Sequence, residues 1–309
     1  MKFNQVRDFL AVAEHGSLRS ASRELGLSQS AFTKSIQALE SELGAPLLER
    51  DQRGAILTPI GHMFLRRAQL ATRELQKARE EIDQHLGGGV GTVTACLSTA
   101  PHIGLLPEVV RAFIRRYPDV RLTVHEALSD IDAEQQLRDG RIDFYLGVLF
   151  RAKPPTGLTQ EPLFTNERII ACRTGHALAK STSLRELGDA RWAISTMAFA
   201  EKEFANLFRE HRLPVPTRLT YGSNILAQML LVLESDMLAM VPWQWTEFAG
   251  MNRLVQRIPV REFVGGPSIG LMRRADLPLT PAAEFFCTLA RRAASRMPNV
   301  RAPKSDRRQ

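Results

Sequence analysis

The feature that most constrains this chain is the punctuation of its first sixty residues. Gly16-Ser17 and Gly26-Leu27-Ser28 each set a helix stop just ahead of a helix cap. Three short helices must therefore follow one another. On the first, Phe3, Val6, Leu10 and Ala13 recur at 3-4-3 spacing, which predicts one buried face. Leu18, Ala21 and Leu25 face inward on the second. The third, capped by Ser28, carries Phe32, Ile36, Leu39 and Leu43 at 4-3-4 spacing. Two short helices, a glycine turn and a third amphipathic helix describe a helix-turn-helix.

The outer face of the third helix carries Gln29, Ser30, Thr33, Lys34 and Gln37, with no acid before Glu40. Acids here would repel phosphate, whereas Gln can bond an adenine edge and Lys a guanine edge in a major groove. A face that is merely solvated would look the same. Next, residues 47–50 and 55–58 flank the turn Asp51-Gln52-Arg53-Gly54, which predicts a β-hairpin wing. Arg50 and Arg53 on it can reach phosphates or a minor groove. Thr58-Pro59 then opens a long helix to about His85. Along it Phe64, Ala68, Ala71, Leu75, Ala78 and Ile82 repeat at 4-3-4-3-4, the seam of a coiled coil with a second copy. Packing on its own domain would need a broader stripe.

Two stretches, residues 16–40 and 43–50, together with Leu57-Thr58-Pro59-Ile60-Gly61, resemble the signature of the LysR-type transcriptional regulators. The motif is long, and a looser similarity extends over the rest of the chain except its tail. The resemblance implies that Gln29 and Lys34 read bases, that Thr33 holds phosphate and that Arg53 enters the minor groove, with Arg50 matching the family's wing arginine. Ser30, Thr33 and Lys34 depart from the usual proline, serine and arginine. Lys lacks the planar fork of Arg, so the resemblance does not fix the preferred base at that position.

Charge adds little to this reading. The formal net charge is +8, yet residues 1–90 hold 12 Lys and Arg against 11 Asp and Glu. Residues 291–309 hold 7 against 1, so the basic character comes mostly from a C-terminal tail expected to be disordered. No apolar run is long enough for a membrane span, and the first residues lack the apolar stretch of a signal peptide. Cys96, Cys172 and Cys287 are far apart and odd in number, which fits reduced core thiols of a cytoplasmic protein. The seven histidines show no metal-ligand spacing, and no cofactor motif is present.

Beyond Gly87-Gly88-Gly89, read as a hinge, strands and helices alternate. Residues 90–97, 120–126 and 142–149 read as strands, with a helix opened by Pro101 and another over 131–138. Residues 168–172, 192–195, 219–221 and 237–241 read as a second set, with helices near 199–211 and 225–234. The strand at 268–273 and the helix capped by Thr280-Pro281 are expected to return to the first set. Such βαβ patterning predicts mainly parallel sheets. An α/β architecture follows: a winged helix-turn-helix over 1–58, a linker helix and hinge over 59–89, a two-lobed effector domain over 90–296 and a basic tail over 297–309. By resemblance that effector domain is similar to type 2 periplasmic binding proteins.

Ligands of open α/β sheets sit at the carboxyl ends of strands. Ser98-Thr99-Ala100-Pro101-His102 occupies one such end before a helix, where backbone N–H groups and hydroxyls suit an anion. A plain helix cap explains the same residues, and His102 is either an acid's partner or a surface histidine. The resemblance implies that Ser129, Ser195, Thr196 and Ser223 line the same crevice. Phe144, Tyr145 and Phe199 are candidate apolar walls, with core packing the default for Phe144. An enzyme is disfavoured by the absence of GxSxG, paired carboxylates and GxGxxG. A solute-binding protein would not need the helix-turn-helix; in that alternative the N-terminal helices would serve protein interaction. The expected partners are double-stranded DNA, a small organic-acid effector, further copies of the chain as dimer and tetramer, and RNA polymerase, with no membrane.

Overall fold

In a computed structural model the chain forms two compact units, Met1–Ile82 and a second beginning at Asp83. The described residues are 1–51, 54–126, 130–149, 151–196, 198–247, 250–262 and 264–297, with 50, 51, 130, 131, 198 and 199 described in backbone only.

The first unit holds α1 (Phe3–His15), α2 (Leu18–Glu24), α3 (Gln29–Leu43), the strands β1 (Leu48–Asp51) and β2 (Gly54–Leu57), and most of α4 (Pro59–His85). Ser17 and Ser28 cap their helices as expected, their hydroxyls accepting from Ser20 N at 3.1 Å and Ala31 N at 3.3 Å. Phe9, Phe32, Leu39 and Leu47 are fully buried in one core. Each such side chain contributes about 1.5–3 kcal/mol on leaving water. The inward face of α1 is Val6, Phe9 and Val12, with Leu10 half-buried, and this corrects the sequence expectation. Phe3, in the first turn ahead of the core, is 55% exposed. A buried carboxylate ties α1 to α3, since Asp8 accepts from Ser35 Oγ at 2.6 Å and pairs with Arg7 at 2.7 Å.

The wing is an antiparallel hairpin with Asp51 opposite Gly54. Two anchors hold it. Glu40 Oε1, on α3, accepts from Leu47 N at 2.8 Å and Leu48 N at 3.0 Å. Ala55 N donates to Gly16 O at 3.0 Å. Gly54 has φ +139°, and a Cβ there would lie 2.4 Å from Gly16 O, so only glycine permits this approach. Thr58 Oγ1 caps α4 by accepting from Gly61 N at 2.8 Å. The α4 stripe then divides. Phe64 packs edge-on against Phe9 and Ala68 is buried, whereas Leu75 is 53% and Ile82 61% exposed.

The second unit has two lobes. Lobe I contains β3 (Gly91–Leu97), α5 (Thr99–Gly104), α6 (Leu106–Arg116), β4 (Val120–Glu126), α7 (Asp130–Arg138), β5 (Phe144–Val148) and β6 (Leu158–Thr165). Lobe II contains β7 (Arg168–Arg173), β8 (Arg191–Ser195), α8 (Ala198–Glu210), β9 (Leu219–Gly222), α9 (Ile225–Leu233), β10 (Met237–Pro242) and β11 (Val255–Arg257). The chain then returns to lobe I as β12 (Ser268–Arg274) and α10 (Pro281–Ala294), capped by Thr280. The sheet orders are β4-β3-β5-β12-β6 and β11-β7-β10-β8-β9.

Both sheets are mixed, not mainly parallel. The βαβ strands β4, β3 and β5 are parallel, but β12 runs antiparallel between β5 and β6. In lobe II, β8 is parallel to β9 and β10, whereas β7 is antiparallel to β10 and β11. The antiparallel members adjoin the two crossings between lobes, where Asn166 N donates to Pro267 O at 3.0 Å and Arg168 N to Gly265 O at 3.1 Å. A Cβ on Gly266 would lie 1.7 Å from Asn166 O, so the crossings touch only because that position is bare.

Candidate functional site

The outer face of α3 is open. Gln29, Ser30, Lys34 and Gln37 are exposed and Thr33 half-buried, while Phe32, Ile36 and Leu39 fill the core behind them. Ser28 is exposed at the cap, with Ser30 Oγ 3.4 Å from its hydroxyl. Arg50 is on β1, its side chain undescribed, and Arg53 lies outside the described residues. Glu40, the first acid along α3, holds the wing to the helix. The rigid presentation of α3 beside the wing therefore depends on a carboxylate whose partners are backbone N–H groups.

In the second unit, one cavity of about 110 Å³ opens between the lobes. Ser98 and Thr99 reach it from lobe I, Ser195 and Ser223 from lobe II, and Tyr145, Phe204 and Ile269 supply apolar wall. Four of the hydroxyl residues expected there thus meet across 125 positions of sequence. His102 and Thr196 are not among the lining residues, and Ser129 lies outside the described residues. Phe144 is core, as the default had it, and the Phe199 side chain is undescribed.

The helix after β3 begins at Thr99, not Pro101, and is interrupted at Leu105. Ser98 is its N-cap by position, yet its hydroxyl makes no cap hydrogen bond. Ser98 is only 7% exposed, and its Oγ is buried without a partner among the described residues. A buried hydroxyl left unsatisfied costs about 1–3 kcal/mol, so a group in the cavity that bonds it is favoured. The simple-cap explanation does not account for this atom.

Three charged residues in the lining escaped the sequence reading. Arg168 pairs with Glu203 at 2.5 Å. Glu126, the last residue of β4, accepts from Ile225 N of lobe II at 3.3 Å. Asn224 caps α9 by accepting from Ala227 N at 2.9 Å, and Gln228 Nε2 donates to Ala193 O at 3.1 Å. The only sequence signal for Glu126 was its place at a strand's carboxyl end. Arg168 and Glu203 had none.

All three cysteines are buried. Burial, with Asp132 adding to it, raises the Cys96 thiol to about 11, and burial raises Cys172 to about 11 and holds Cys287 well above the ordinary thiol value. Thiolate is the reactive form, so none is poised for oxidation or metal binding. No cluster of metal-ligating side chains occurs among the described residues, and no described helix is long and apolar enough to cross a membrane.

Comparison with known proteins assigns both parts of the chain to one family. The profile of bacterial regulatory helix-turn-helix proteins of the lysR family matches residues 3–62, and the LysR substrate binding domain matches residues 87–295. The chain belongs to the LysR family of transcription regulators: it has a DNA-binding helix-turn-helix and a ligand-binding domain, and its relatives are regulators, not enzymes. It is 27% identical over 299 residues to the HTH-type transcriptional regulator GbpR of Azospirillum brasilense, covering 96% of this chain and 87% of that one. It is 26% identical over 289 residues to the regulator TdcA of Escherichia coli K12, covering 93% and 91%. Full-length CbnR, crystallised with its target DNA, shares the fold with a TM-score of 0.71 at 21% identity, over 95% of this chain and 100% of that one. A full-length OxyR from Pseudomonas aeruginosa gives 0.66 at 19%, over 94% and 95%. At such identities the likeness speaks for the fold alone.

Proposed function

We propose that this regulator reads its operator with Gln29 and Lys34 on base edges and Ser28, Ser30 and Thr33 on the backbone, with Arg50 and Arg53 of the wing on phosphate or in the minor groove. Exposure of the α3 polar face, with Phe32, Ile36 and Leu39 of the opposite face in the core and Leu43 beyond it at 41% exposure, supports that assignment. The open second half of the α4 stripe pairs two copies, and two such dimers associate further as a tetramer. The protein works on DNA in the cytoplasm and signals to RNA polymerase.

The effector is a small organic acid bound between the lobes, its carboxylate taken by Ser98 and Thr99 with help from Ser195 and Ser223. The observation that carries this is the Ser98 hydroxyl, buried and without a partner among the described residues, on a residue that lines the cavity. A ligand acts on DNA binding only so far as it prefers one arrangement of the assembly over another.

A thermal-shift screen of small organic acids on the full chain tests the reading, since a ligand of the folded state raises the melting temperature. A hit should retard or release DNA flanking the regulator's own gene in a gel assay, and Ser98→Ala should weaken the shift at a given ligand concentration. A hit indifferent to Ser98→Ala would place the effector elsewhere.

A further inference from the structure

The charges of the cavity do not suit a ligand that is only an anion. Three formally charged side chains line it, Glu126, Arg168 and Glu203. Arg168 is already committed to Glu203 at 2.5 Å. Glu126 has no cationic partner among the described residues. One of its oxygens accepts from Ile225 N at 3.3 Å. A lone carboxylate ligand would set a second negative charge beside an unneutralised one in a space partly removed from water, where repulsion is strong.

The two candidate contacts are also close together. Leu97 on β3 stands directly opposite Glu126 on β4, and Ser98 is the next residue. Adjacent strands are ~4.8 Å apart, so Ser98 and Glu126, which line the same cavity, lie within the span of one small molecule. We propose that the effector is a zwitterion of the amino-acid class, with its carboxylate at Ser98 and Thr99 and its ammonium against Glu126. This rests on the crevice reading above and sharpens it. Charge complementarity, rather than hydroxyl count, then sets the ligand class: a 2-hydroxy acid offers Glu126 a hydrogen bond but leaves its charge unmatched.

The test uses sets of three acids on one carbon skeleton, for example leucine, 2-hydroxy-4-methylpentanoate and 4-methylpentanoate, with matching aromatic and dicarboxylate sets. Full-length protein is screened by thermal shift, and the best skeleton is taken to calorimetry. The amino member should bind at least tenfold tighter than both others. Glu126→Gln keeps an acceptor for Ile225 N and removes only the charge. It should cut the preference to threefold or less, weakening the amino acid while leaving or tightening the plain acid. Equal binding of the three acids to the parent overturns the proposal without recourse to any variant, as does an undiminished preference in Glu126→Gln. If the three acids bind alike and Ser98→Ala weakens that binding, the crevice reading survives and only the zwitterion falls. If no acid binds, or binding ignores Ser98→Ala, both fall.

Discussion

The two units expose their chemistry in opposite ways. The reading head turns its polar groups outward from one helix of 15 residues, α3, with the core directly behind them. The ligand-binding unit turns its polar groups inward, gathering them from between Ser98 and Gln228, at strand ends of two sheets and on the helices beside them. An outward face on one helix depends on the rigidity of a small core and on a second copy to double its grip. An inward face depends on the two lobes meeting, and each side chain in it is partly removed from water.

That contrast orders the expected effects of substitution. Leu75→Asp with Ile82→Asp should fold as a single chain, because both positions are more than half exposed. Pairing should fail, and operator affinity should fall on the order of a hundredfold or more through loss of the second reading head. Sedimentation and gel retardation check it, and an intact oligomer would show that the stripe is not the seam.

Glu40→Ala tests whether the wing is held by the carboxylate. Two backbone N–H groups at Leu47 and Leu48 lose their acceptor. The first unit should lose about 2 kcal/mol in stability, discounted for partial exposure. Denaturant unfolding of the parent and variant would reveal it. Ligand-induced shifts of the second unit should be unaffected.

At α3 itself, Gln29→Ala and Lys34→Ala should each cost about 1–3 kcal/mol on the operator and relax preference at one base position, while a phosphate contact weakens all sequences alike. In the cavity, Ser98→Ala and Thr99→Val should each lower ligand affinity by roughly 1 kcal/mol and leave ligand-free DNA binding at the parental value. The smallest effect concerns the thiols. All three lie in the second unit, and burial keeps them protonated at neutral pH. A thiol reagent should label native protein far more slowly than unfolded protein. Rapid labelling of the native chain would reopen a redox role.

The same contrast explains what could be read from the sequence. The caps Ser17, Ser28 and Thr58, the wing turn and the third helix are all written in residues at most four apart, so local pattern was enough. Even there, face assignment slipped at Phe3, because a helix's first turn can extend beyond the core it points toward. In the second unit, β6 was missed because Gln160, Glu161 and Pro162 break its apolar run, which an edge strand tolerates. The three-residue β11 is likewise an edge. Antiparallel pairing of β12 and β7 depends on the two lobe crossings, and no local pattern encodes those. Ser98 and Thr99 were legible as hydroxyls at a strand end just before a helix, whereas Ser195 and Ser223 followed only from the family resemblance. Arg168 and Glu203 were not legible, since a charged residue at a strand start or on a helix looks like surface until the opposite lobe closes over it.

The most direct test measures operator affinity by fluorescence anisotropy, with and without the best ligand of the thermal screen, in the parent and in Ser98→Ala. The account predicts equal ligand-free affinities, a clear ligand-dependent change in the parent, and a change in Ser98→Ala that appears only at higher ligand concentration or not at all. A variant that responds to ligand at the same concentration as the parent, or that loses operator binding without ligand, would contradict it.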